Sequence, residues 1–571
     1  MNCSDPDEPV EVNQLQVGTL QGFLLDLKIW GIQYNIPRIA ISTLLKIIRK
    51  HFGNFRDSAF DLPMDSRTIY KISEKIIVKQ MSGQRYIFFE PINILKKLFA
   101  EYRKKIGPVP EMLSLSLNID GVSPFKNAKE KHGFWSILAK IHGLRVNIVF
   151  PLAMCYGKGK PVSLEFMKES MHALQGLFDS GLEGTIFNPK LICCDLPAKA
   201  FVKITKCFNA KLGCDRCEIE GDWCPFNHTT LFKIPLNPLR LPKIRTDEEF
   251  RRNAANNQRG FSITPLTILR NMDLVKDVNV DVMHGAFIGV VKTILSIWVN
   301  GNNVFPKFPE ALLQNINSKI DIFNRCVVNK CFDHKPKYIT DYKNYKGDDF
   351  RIFLLYASPF VLQDIPPDQF NSFMCLHQGI SLLENQTYID RYSKYAHSLL
   401  HSFLTQSEYM YGSSILTYNF HGILHYTEDA VRHGPLTANG AFCFESFNSK
   451  FCRFIKSRTY PLTEFARRYY ETINVSFFCF SPIRVKIKTY VIERNLIEII
   501  GNYDDDIVQC KVYLQAKDVY NSYCNSLLLS IMQFDQNNFR IVEINKNRLS
   551  KKCLKIDYQN IVICIPLLHT M

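Results

Sequence analysis

The stretch Glu111–Asp120, EMLSLSLNID, alternates apolar and polar residues, which predicts a β-strand that ends at Asp120. A second, fully apolar run, Leu191–Cys194, leads to Asp195 and predicts another strand. Pro197 follows and suits the first turn of a helix. In open α/β sheets ligands bind at the C-terminal ends of strands, so both aspartates are candidate site residues.

Predicted helices alternate with these strands, which indicates an α/β fold. Residues 144–155 predict a further strand, and residues 163–178 place apolar side chains three and four apart, as in an amphipathic helix. Residues 441–456 set four phenylalanines along one helix face. Residues 245–410 are typical of helices with short turns. Beyond residue 484, β-branched runs such as VKIKTYVI (485–492) and NIVICI (560–565) predict a small β-rich domain.

Residues 18–52 predict two helices with a break at Gly31–Asn35, and Pro37 starts the second. Two helices joined in this way fit a helix-turn-helix DNA reader. A plain helical hairpin that closes a core is the other interpretation of the two helices, and we favour it.

Composition narrows the possible functions. The 571 residues include 70 Lys and Arg against 54 Asp and Glu, a net charge of +16 that attracts polyanions such as nucleic acid. A basic surface on an ordinary soluble protein would give the same count.

Residues 1–12 lack the features of a signal peptide. The apolar run Gly285–Val299 is interrupted by Lys292 and is too short for a membrane span, so we expect no membrane partner. The 18 cysteines are then thiols or metal ligands.

Asp120 and Asp195 have the chemistry of a divalent cation site. Carboxylates are the ligands that Mg²⁺ and Mn²⁺ prefer, and two such ions catalyse phosphoryl transfer. A third carboxylate from a helix would complete the site, and Glu445, beside the phenylalanine stripe, is the candidate. An aspartate after a strand is also a common turn former or helix cap, so the residues alone leave this open.

Cysteines and histidines give a second candidate site. Cys214, Cys217, Cys224 and His228 have the spacing of a small zinc knuckle, with thiolate and imidazole ligands that Zn²⁺ prefers. Buried free thiols are the alternative. His421-x3-His425 could form another metal site. We favour a buried, hydrogen-bonded role for His425, in support of the Glu445 segment.

Four basic residues follow Glu445, and the first three recur every third position, as on one flank of a helix. They are Lys450, Arg453, Lys456 and Arg458. They are candidates for DNA phosphate contacts. A solvated charged face is the alternative. We interpret the Lys158-Gly-Lys160 turn as a loop.

Five blocks resemble, in order, the transposase domain of CACTA (En/Spm)-type elements, over roughly residues 20–475. The blocks are DGVSPFKNAKEKHGFW (120–135), LICCDLPAKAFVKITKCFNAKLGCDRC (191–217), DVMHGAFIGVVK (281–292), DFRIFLLYASPFVL (349–362) and HYTEDAVRHGPL with FCFESFNSKFCRFIKSRTYP (within 425–461). The resemblance implies an RNase H-like core interrupted by a large helical insertion before the last acid. It also implies that Asp120, Asp195 and Glu445 are the catalytic acids and that Asp281 and His284 form a signature pair, for which metal, phosphate or structural roles remain open.

The resemblance and the residue patterns together predict five regions. They are an N-terminal helical region (1–110), a first part of the core with the zinc knuckle (111–240), the helical insertion (241–410), a second part of the core with the third acid (411–480) and the C-terminal β-rich domain (481–571).

The resemblance implies a DDE transposase that cuts and joins DNA with Mg²⁺ or Mn²⁺. We expect Zn²⁺ as a structural ion, double-stranded DNA (transposon ends and target) as partner, a nuclear location and a homo-oligomer. A domesticated or inactive, transposase-derived DNA-binding protein is the alternative. A zinc-containing structural protein would explain the cysteines but not the ordered acidic blocks.

Overall fold

The computed structural model describes most of the chain. The described residues are 20–52, 62–81, 83–125, 132–225, 228–233, 242–255, 263–327, 332, 334–474, 488–502, 506–520, 525–549 and 551–568. Residues 1–19, residues 126–131 of the first resembling block and residues 485–487 of a predicted strand lie outside this part of the chain.

Helices make up 49% of the structure and strands 21%, which confirms the mixed α/β class. The α-helices are α1 (Leu20–Gln33), α2 (Arg38–Phe52), α3 (Ser66–Ile69), α4 (Pro91–Lys105), α5 (Lys168–Ser180), α6 (Leu196–Lys203), α7 (Asp247–Ala255), α8 (Lys292–Asn300), α9 (Glu310–Cys326), α10 (Gly347–Ile352), α11 (Ser358–Val361), α12 (Pro367–Leu382), α13 (Gln386–Tyr411), α14 (Tyr418–Gly422), α15 (Tyr426–His433), α16 (Phe442–Phe454) and α17 (Pro461–Ile473). Two segments, Met283–Val291 and Phe353–Ala357, are π-helical.

The strands form three sheets. They are β1 (Lys79–Met81), β2 (Gln84–Phe88), β3 (Met112–Val122), β4 (His132–His142), β5 (Ile148–Lys158), β6 (Ile186–Cys193), β7 (Asp222–Cys224), β8 (Thr229–Leu231), β9 (Thr489–Ile492), β10 (Asn495–Asn502), β11 (Ile507–Tyr513), β12 (Lys517–Asp518), β13 (Met532–Asp535), β14 (Phe539–Asn545), β15 (Lys551–Tyr558) and β16 (Ile561–Pro566).

The chain divides into two compact units, each made of separate stretches of sequence. The first unit comprises Met1–Lys190, Thr264–Met272 and Cys443–Pro482. The second comprises Leu191–Ile263, Asp273–Phe442 and Ile483–Met571.

The first unit is built on a sheet with the strand order β1-β2-β5-β4-β3-β6. The strand predicted here is confirmed as β3, and its apolar face is buried, because Leu113, Leu115, Leu117 and Ile119 are all at most 1% exposed. Its polar face is not exposed as the alternation predicted, because Ser116 and Asn118 are buried as well. The strand continues to Val122, two residues beyond Asp120. The strand predicted at 144–155 begins later, at Ile148, because a turn occupies the residues before it.

The two predicted N-terminal helices are confirmed as α1 and α2. Ile41 and Leu45 of α2 are fully buried and pack with Leu27 of α1, and with Leu62 and Tyr70, in a small hydrophobic core. The pair is therefore a helical hairpin around its own core. DNA reading by it stays a prediction.

The predicted helical stretch is confirmed in the second unit, where α8–α13 lie between the two segments that resemble catalytic blocks. Met283–Asn300 is long and apolar enough to cross a membrane, but 61% of it is buried inside the protein, as in the core helix of a globular domain. The β-rich C-terminal residues form an eight-stranded sheet with the order β12-β13-β16-β15-β9-β10-β11-β14.

Candidate functional site

The zinc knuckle predicted from sequence is wrong in half of its ligands. Cys214 and Cys217 are each 1% exposed in the second unit. Cys224 lies in the β7–β8 hairpin, half-buried, and His228 is exposed with its ring 6.5 Å from that of Trp223. The hairpin therefore carries this second pair outside the buried thiol cluster.

His421 and His425 take the place of the predicted pair. His421 belongs to α14, and His425 ends the 3₁₀ turn that follows, so the two rings lie one turn apart. Their exposures are 1% and 4%. Together with Cys214 and Cys217 they form a buried group whose ligand atoms all lie within 4.8 Å of one another. The predicted burial and hydrogen bonding of His425 are therefore confirmed, and its position in the cluster makes it a candidate metal ligand as well. Support of the Glu445 segment by His425 stays a prediction.

The distances in this Cys2His2 cluster match a tetrahedral metal site. Bonds of about 2.3 Å to sulfur and about 2.0–2.1 Å to nitrogen require edges of about 3.8 Å between sulfurs, about 3.3 Å between nitrogens and about 3.5 Å between sulfur and nitrogen. The two sulfurs are 3.6 Å apart and the two Nε2 atoms 3.3 Å apart. Three of the four sulfur–nitrogen distances are 3.3, 3.4 and 3.5 Å. The cluster can therefore hold a metal ion such as zinc.

The electrostatics favour a thiolate at Cys214. Burial alone would raise the pKa of Cys214, but the hydrogen bond from the Cys217 thiol and the charges of His421 and His425 hold this pKa well below its usual range. The neighbouring thiolate and burial raise the pKa of Cys217. Arg245 donates from Nε to both cysteine carbonyls, at 3.1 and 3.0 Å, which fixes the turn between them. A bound cation would favour thiolates at both positions.

The two residues inside the Cys-x2-Cys turn are buried ions. Asp215 forms ion pairs with Lys199 and Lys203 of α6, at 3.0 and 2.5 Å. Burial lowers the pKa of Lys203 to about 8 despite this partner. Arg216, 0% exposed, donates to Asp429 of α15 at 2.6 Å. The turn is thus paired with α6 on one side and with the helix after the histidines on the other.

The structure places Asp120 in the first unit, two residues before the end of β3. Its side chain is half-buried, and Oδ1 accepts from the amide of Gly121 at 2.6 Å. Glu445 also belongs to the first unit, in the first turn of α16, and is exposed. The predicted helix for this acid is confirmed. Phe444 and Phe451 of the predicted stripe are buried, whereas Glu445 lies on another face.

Asp195 belongs to the second unit and follows β6 by two residues. It is the N-cap of α6, and Oδ1 accepts from the amide of Ala198 at 2.7 Å. The helix-cap interpretation considered for this residue is therefore confirmed. Its catalytic role stays a prediction.

The signature pair Asp281 and His284 is brought together in the second unit. Oδ2 of Asp281 lies 2.6 Å from Nδ1 of His284 and 3.0 Å from its backbone amide. A carboxylate accepts only, so Nδ1 carries the proton. The carboxylate is buried and the imidazole partly exposed.

The four basic residues predicted to contact DNA lie in the first unit. Lys450 and Arg453 belong to α16. The helix ends at Phe454, so Lys456 lies beyond it and the predicted common helix flank is wrong for this residue. Arg458 lies in the loop after α16, with its guanidinium 5.8 Å from the ring centre of Phe125.

Sequence reasoning missed the pairing of the two cysteines with the two histidines. The four-residue spacing of His421 and His425 was the available signal, because it places two imidazoles one helical turn apart. Pairing by proximity in sequence assigned Cys224 and His228 instead.

Comparison with protein families and with curated proteins found no match: no protein-family model matches this chain, and no curated protein matches it.

Proposed function

We propose that this chain is a metal-dependent DNA transposase with an RNase H-like core. The observation that supports the proposal is that each of the two aspartates lies at the C-terminal end of a strand. Asp120 lies near the end of β3, and Asp195 follows β6. Ligands of α/β sheets bind at such strand ends.

Asp120, Asp195 and Glu445 would hold Mg²⁺ or Mn²⁺, which prefer carboxylate oxygens. The ions would supply charge stabilisation to the attacking and leaving oxygens of a phosphodiester. The helical stretch between Asp195 and Glu445 supports the same assignment, because the resemblance implies an insertion before the third acid.

The proposed reaction has two steps. Water attacks a phosphorus atom at the transposon end, and the bond from phosphorus to the 3′ oxygen breaks, which leaves a 3′ hydroxyl and a 5′ phosphate. That hydroxyl then attacks a phosphodiester of target DNA, forms a new phosphorus–oxygen bond and releases a 3′ hydroxyl of the target. The chain forms no covalent intermediate, and its own contribution is alignment of the strands.

We also propose that the Cys2His2 cluster binds one structural Zn²⁺. All four tetrahedral positions have protein ligands, so no open position remains for a substrate. The buried ion pairs of Asp215 with α6 and of Arg216 with α15 support a structural role, because α6 begins directly after Asp195.

A basic surface in the first unit supports DNA as the partner. Arg453, Lys456 and Arg458 are exposed. The amides of Lys456 and Ser457 donate to Glu464 at 2.8 and 2.7 Å, which fixes the loop and leaves the cationic side chains to face outward. Such contacts position a duplex without reading its sequence. Binding of transposon ends and target DNA, a nuclear location and a homo-oligomeric state follow from the resemblance and belong to the proposal.

One observation favours the alternative, a transposase-derived DNA-binding protein without nuclease activity. Asp195 already has a structural role as the N-cap of α6. A chain that had lost catalysis would still gain stability from this aspartate.

A nicking assay separates the two functions. Supercoiled plasmid is incubated with the purified chain and Mg²⁺ or Mn²⁺, in parallel with Asp195→Asn. Asparagine caps helices as well as aspartate, so this variant removes the charge and keeps the cap. Asp222→Asn, at a carboxylate 67% exposed in the β7 strand, is the matched control.

We expect metal-dependent nicking by the wild-type chain and by Asp222→Asn, and none by Asp195→Asn. Equal nicking by Asp195→Asn would contradict the assignment of the site. A wild-type chain that shifts DNA in a gel but never nicks it would favour the binding protein.

A further inference from the structure

Asp281 is a buried carboxylate at which three segments of the second unit meet. Its side chain is 1% exposed. Oδ2 accepts from the backbone amide and from Nδ1 of His284, at 3.0 and 2.6 Å. Oδ1 accepts from the amide of Ala441 at 2.9 Å and lies 3.6 Å from the sulfur of Cys193. Both oxygens are therefore engaged by protein donors.

This environment does not suit a ligand of Mg²⁺. Such a ligand needs a lone pair directed at the ion, and Mg²⁺ usually keeps several waters. Burial alone would raise the pKa of Asp281, but the hydrogen bonds and charge of His284 and the Ala441 amide hold it below its usual value. The carboxylate is thus ionised and fully used inside the protein. Hydrogen bonds to an ionised acceptor are the stronger kind.

The three segments lead to two of the proposed catalytic acids. Cys193 is the last residue of β6, two positions before Asp195. Ala441 directly precedes α16, whose first turn carries Glu445. His284 lies at the start of the π-helical segment Met283–Val291. Gly440 permits the close approach, because a Cβ at this position would lie 3.2 Å from Oδ1 of Asp281.

We propose that Asp281 and His284 are positioning residues of the nuclease site, and that they fix the end of β6 and the start of α16 without touching metal or DNA. The inference rests on the proposed function. It gives the signature pair a structural role and assigns the metal to the other three acids.

The kinetic test uses Asp281→Asn and His284→Gln in the plasmid assay. Outer contacts of a metal site typically contribute 10–100-fold to activity, so we expect kcat to fall about 100-fold for Asp281→Asn and about 10-fold for His284→Gln. The KM for DNA should change less than about twofold, because neither residue contacts the substrate. His284→Gln keeps the bond from Ala441, so it remains informative if Asp281→Asn folds poorly.

Asp349→Asn is the matched control. Asp349 is another fully buried carboxylate of the second unit, and it accepts from the amide of Lys346 at 2.8 Å at the start of α10. Its hydrogen-bond and ion-pair partners in the described part of the chain are Lys346 and Lys337, which lie outside β6 and α16. A similar loss of thermal stability with unchanged kcat is expected. An equal fall in kcat for Asp349→Asn would overturn the inference, because removal of any buried carboxylate charge in the unit would then lower kcat.

Hydrogen exchange gives a readout that needs no activity. In Asp281→Asn the amide of Ala441 should exchange at least about tenfold faster, as its acceptor loses charge, while the amide of Lys346 is unchanged. If the wild-type chain fails to cut DNA, the proposed nuclease function is wrong, and the anchoring role of Asp281 is then tested by hydrogen exchange alone. Unchanged protection of Ala441 overturns the anchoring role, and faster exchange upholds it.

Discussion

Nε2 of His421 lies 3.3 Å from the sulfur of Cys214, although 207 residues separate them in sequence. The contact joins the turn after α6 to the short helix before α15. We expect the purified chain to carry about one Zn²⁺, since the cluster supplies four ligands. Cys217→Ser and His421→Ala should lose the metal, as measured by elemental analysis, and should melt at least about 10 °C lower, because structural zinc contributes directly to folding.

Cys224→Ser and His228→Ala are the controls for this prediction. Both belong to the knuckle predicted from sequence and lie outside the Cys2His2 cluster. They should keep full zinc content. Loss of zinc in either variant, with retention in His421→Ala, would restore the original assignment.

Arg216 should be far more sensitive to substitution than a surface arginine. Its guanidinium is 0% exposed and its partner Asp429 is 2% exposed. Arg216→Met would leave a buried, unpaired carboxylate, which typically costs about 3–5 kcal/mol. Urea unfolding measures this loss. Arg251→Met, at a partly exposed pair with Asp247 in α7, should cost less than about 1 kcal/mol. Equal losses of unfolding free energy in the two variants would contradict the special importance of the buried pair between Arg216 and Asp429.

The cap formed by Asp195 can be separated from its proposed metal role. Asp195→Ala should destabilise the chain by about 1 kcal/mol, because the Ala198 amide loses its acceptor, whereas Asp195→Asn should be nearly neutral. Urea unfolding without metal gives both values. If Asp195→Asn destabilised the chain as much as Asp195→Ala does, the charge of Asp195, and not its hydrogen bond to the Ala198 amide, would be what stabilises α6.

The basic loop after α16 should contribute to DNA affinity in a salt-dependent manner. The logarithm of the DNA-binding constant falls linearly with the logarithm of the salt concentration, and each phosphate contact adds about 0.9 to the magnitude of this slope. Lys456→Ala and Arg458→Ala should therefore each lower the magnitude of the slope by about 0.9. Fluorescence anisotropy on a duplex measures it. Lys394→Ala, at an exposed lysine of α13, is the control and should leave the slope unchanged.

His142 should make the chain sensitive to mild acid. Burial, and then the charges of Lys190 and Lys140, lower its pKa to about 3. Its Nε2 is hydrogen-bonded to the hydroxyl group of Ser116 at 2.7 Å. The unfolded state therefore binds more protons between pH 6.5 and about 3, and stability falls as the pH falls through this window. His142→Gln should flatten the dependence, measured by thermal melting from pH 7 to 4. An unchanged slope would exclude His142 as its source.

Local patterns predicted those parts of the fold in which one face is apolar. β3 alternates, and α16 repeats its phenylalanines, so both elements were found from sequence. β4 was missed because apolar residues occupy both of its faces: residues 134–141 are all buried, and no alternation of apolar and polar residues marks the strand. A strand of that kind cannot be told from a buried helix by periodicity.

The candidate site was predictable where its residues follow the ends of elements and not where it depends on long-range contacts. Asp195 follows an apolar strand, and Glu445 lies on a predicted helix. The contact of Asp281 with Ala441 joins residues 160 apart, and nothing local encodes it. The same holds for the cysteines and histidines.

The long stretch of sequence between the cysteines and the histidines of the Cys2His2 cluster has a consequence for synthesis on the ribosome. Cys217 and His421 are 204 residues apart, so at about 5–20 residues per second the thiols leave the ribosome roughly 10–40 s before the histidines do. During that interval the Cys-x2-Cys turn has neither its imidazoles nor the acidic partner of Arg216. The nascent chain therefore carries exposed thiols and an unpaired cation until α15 has been made, and closure of the cluster marks the point at which the helices between Cys217 and His421 have been made.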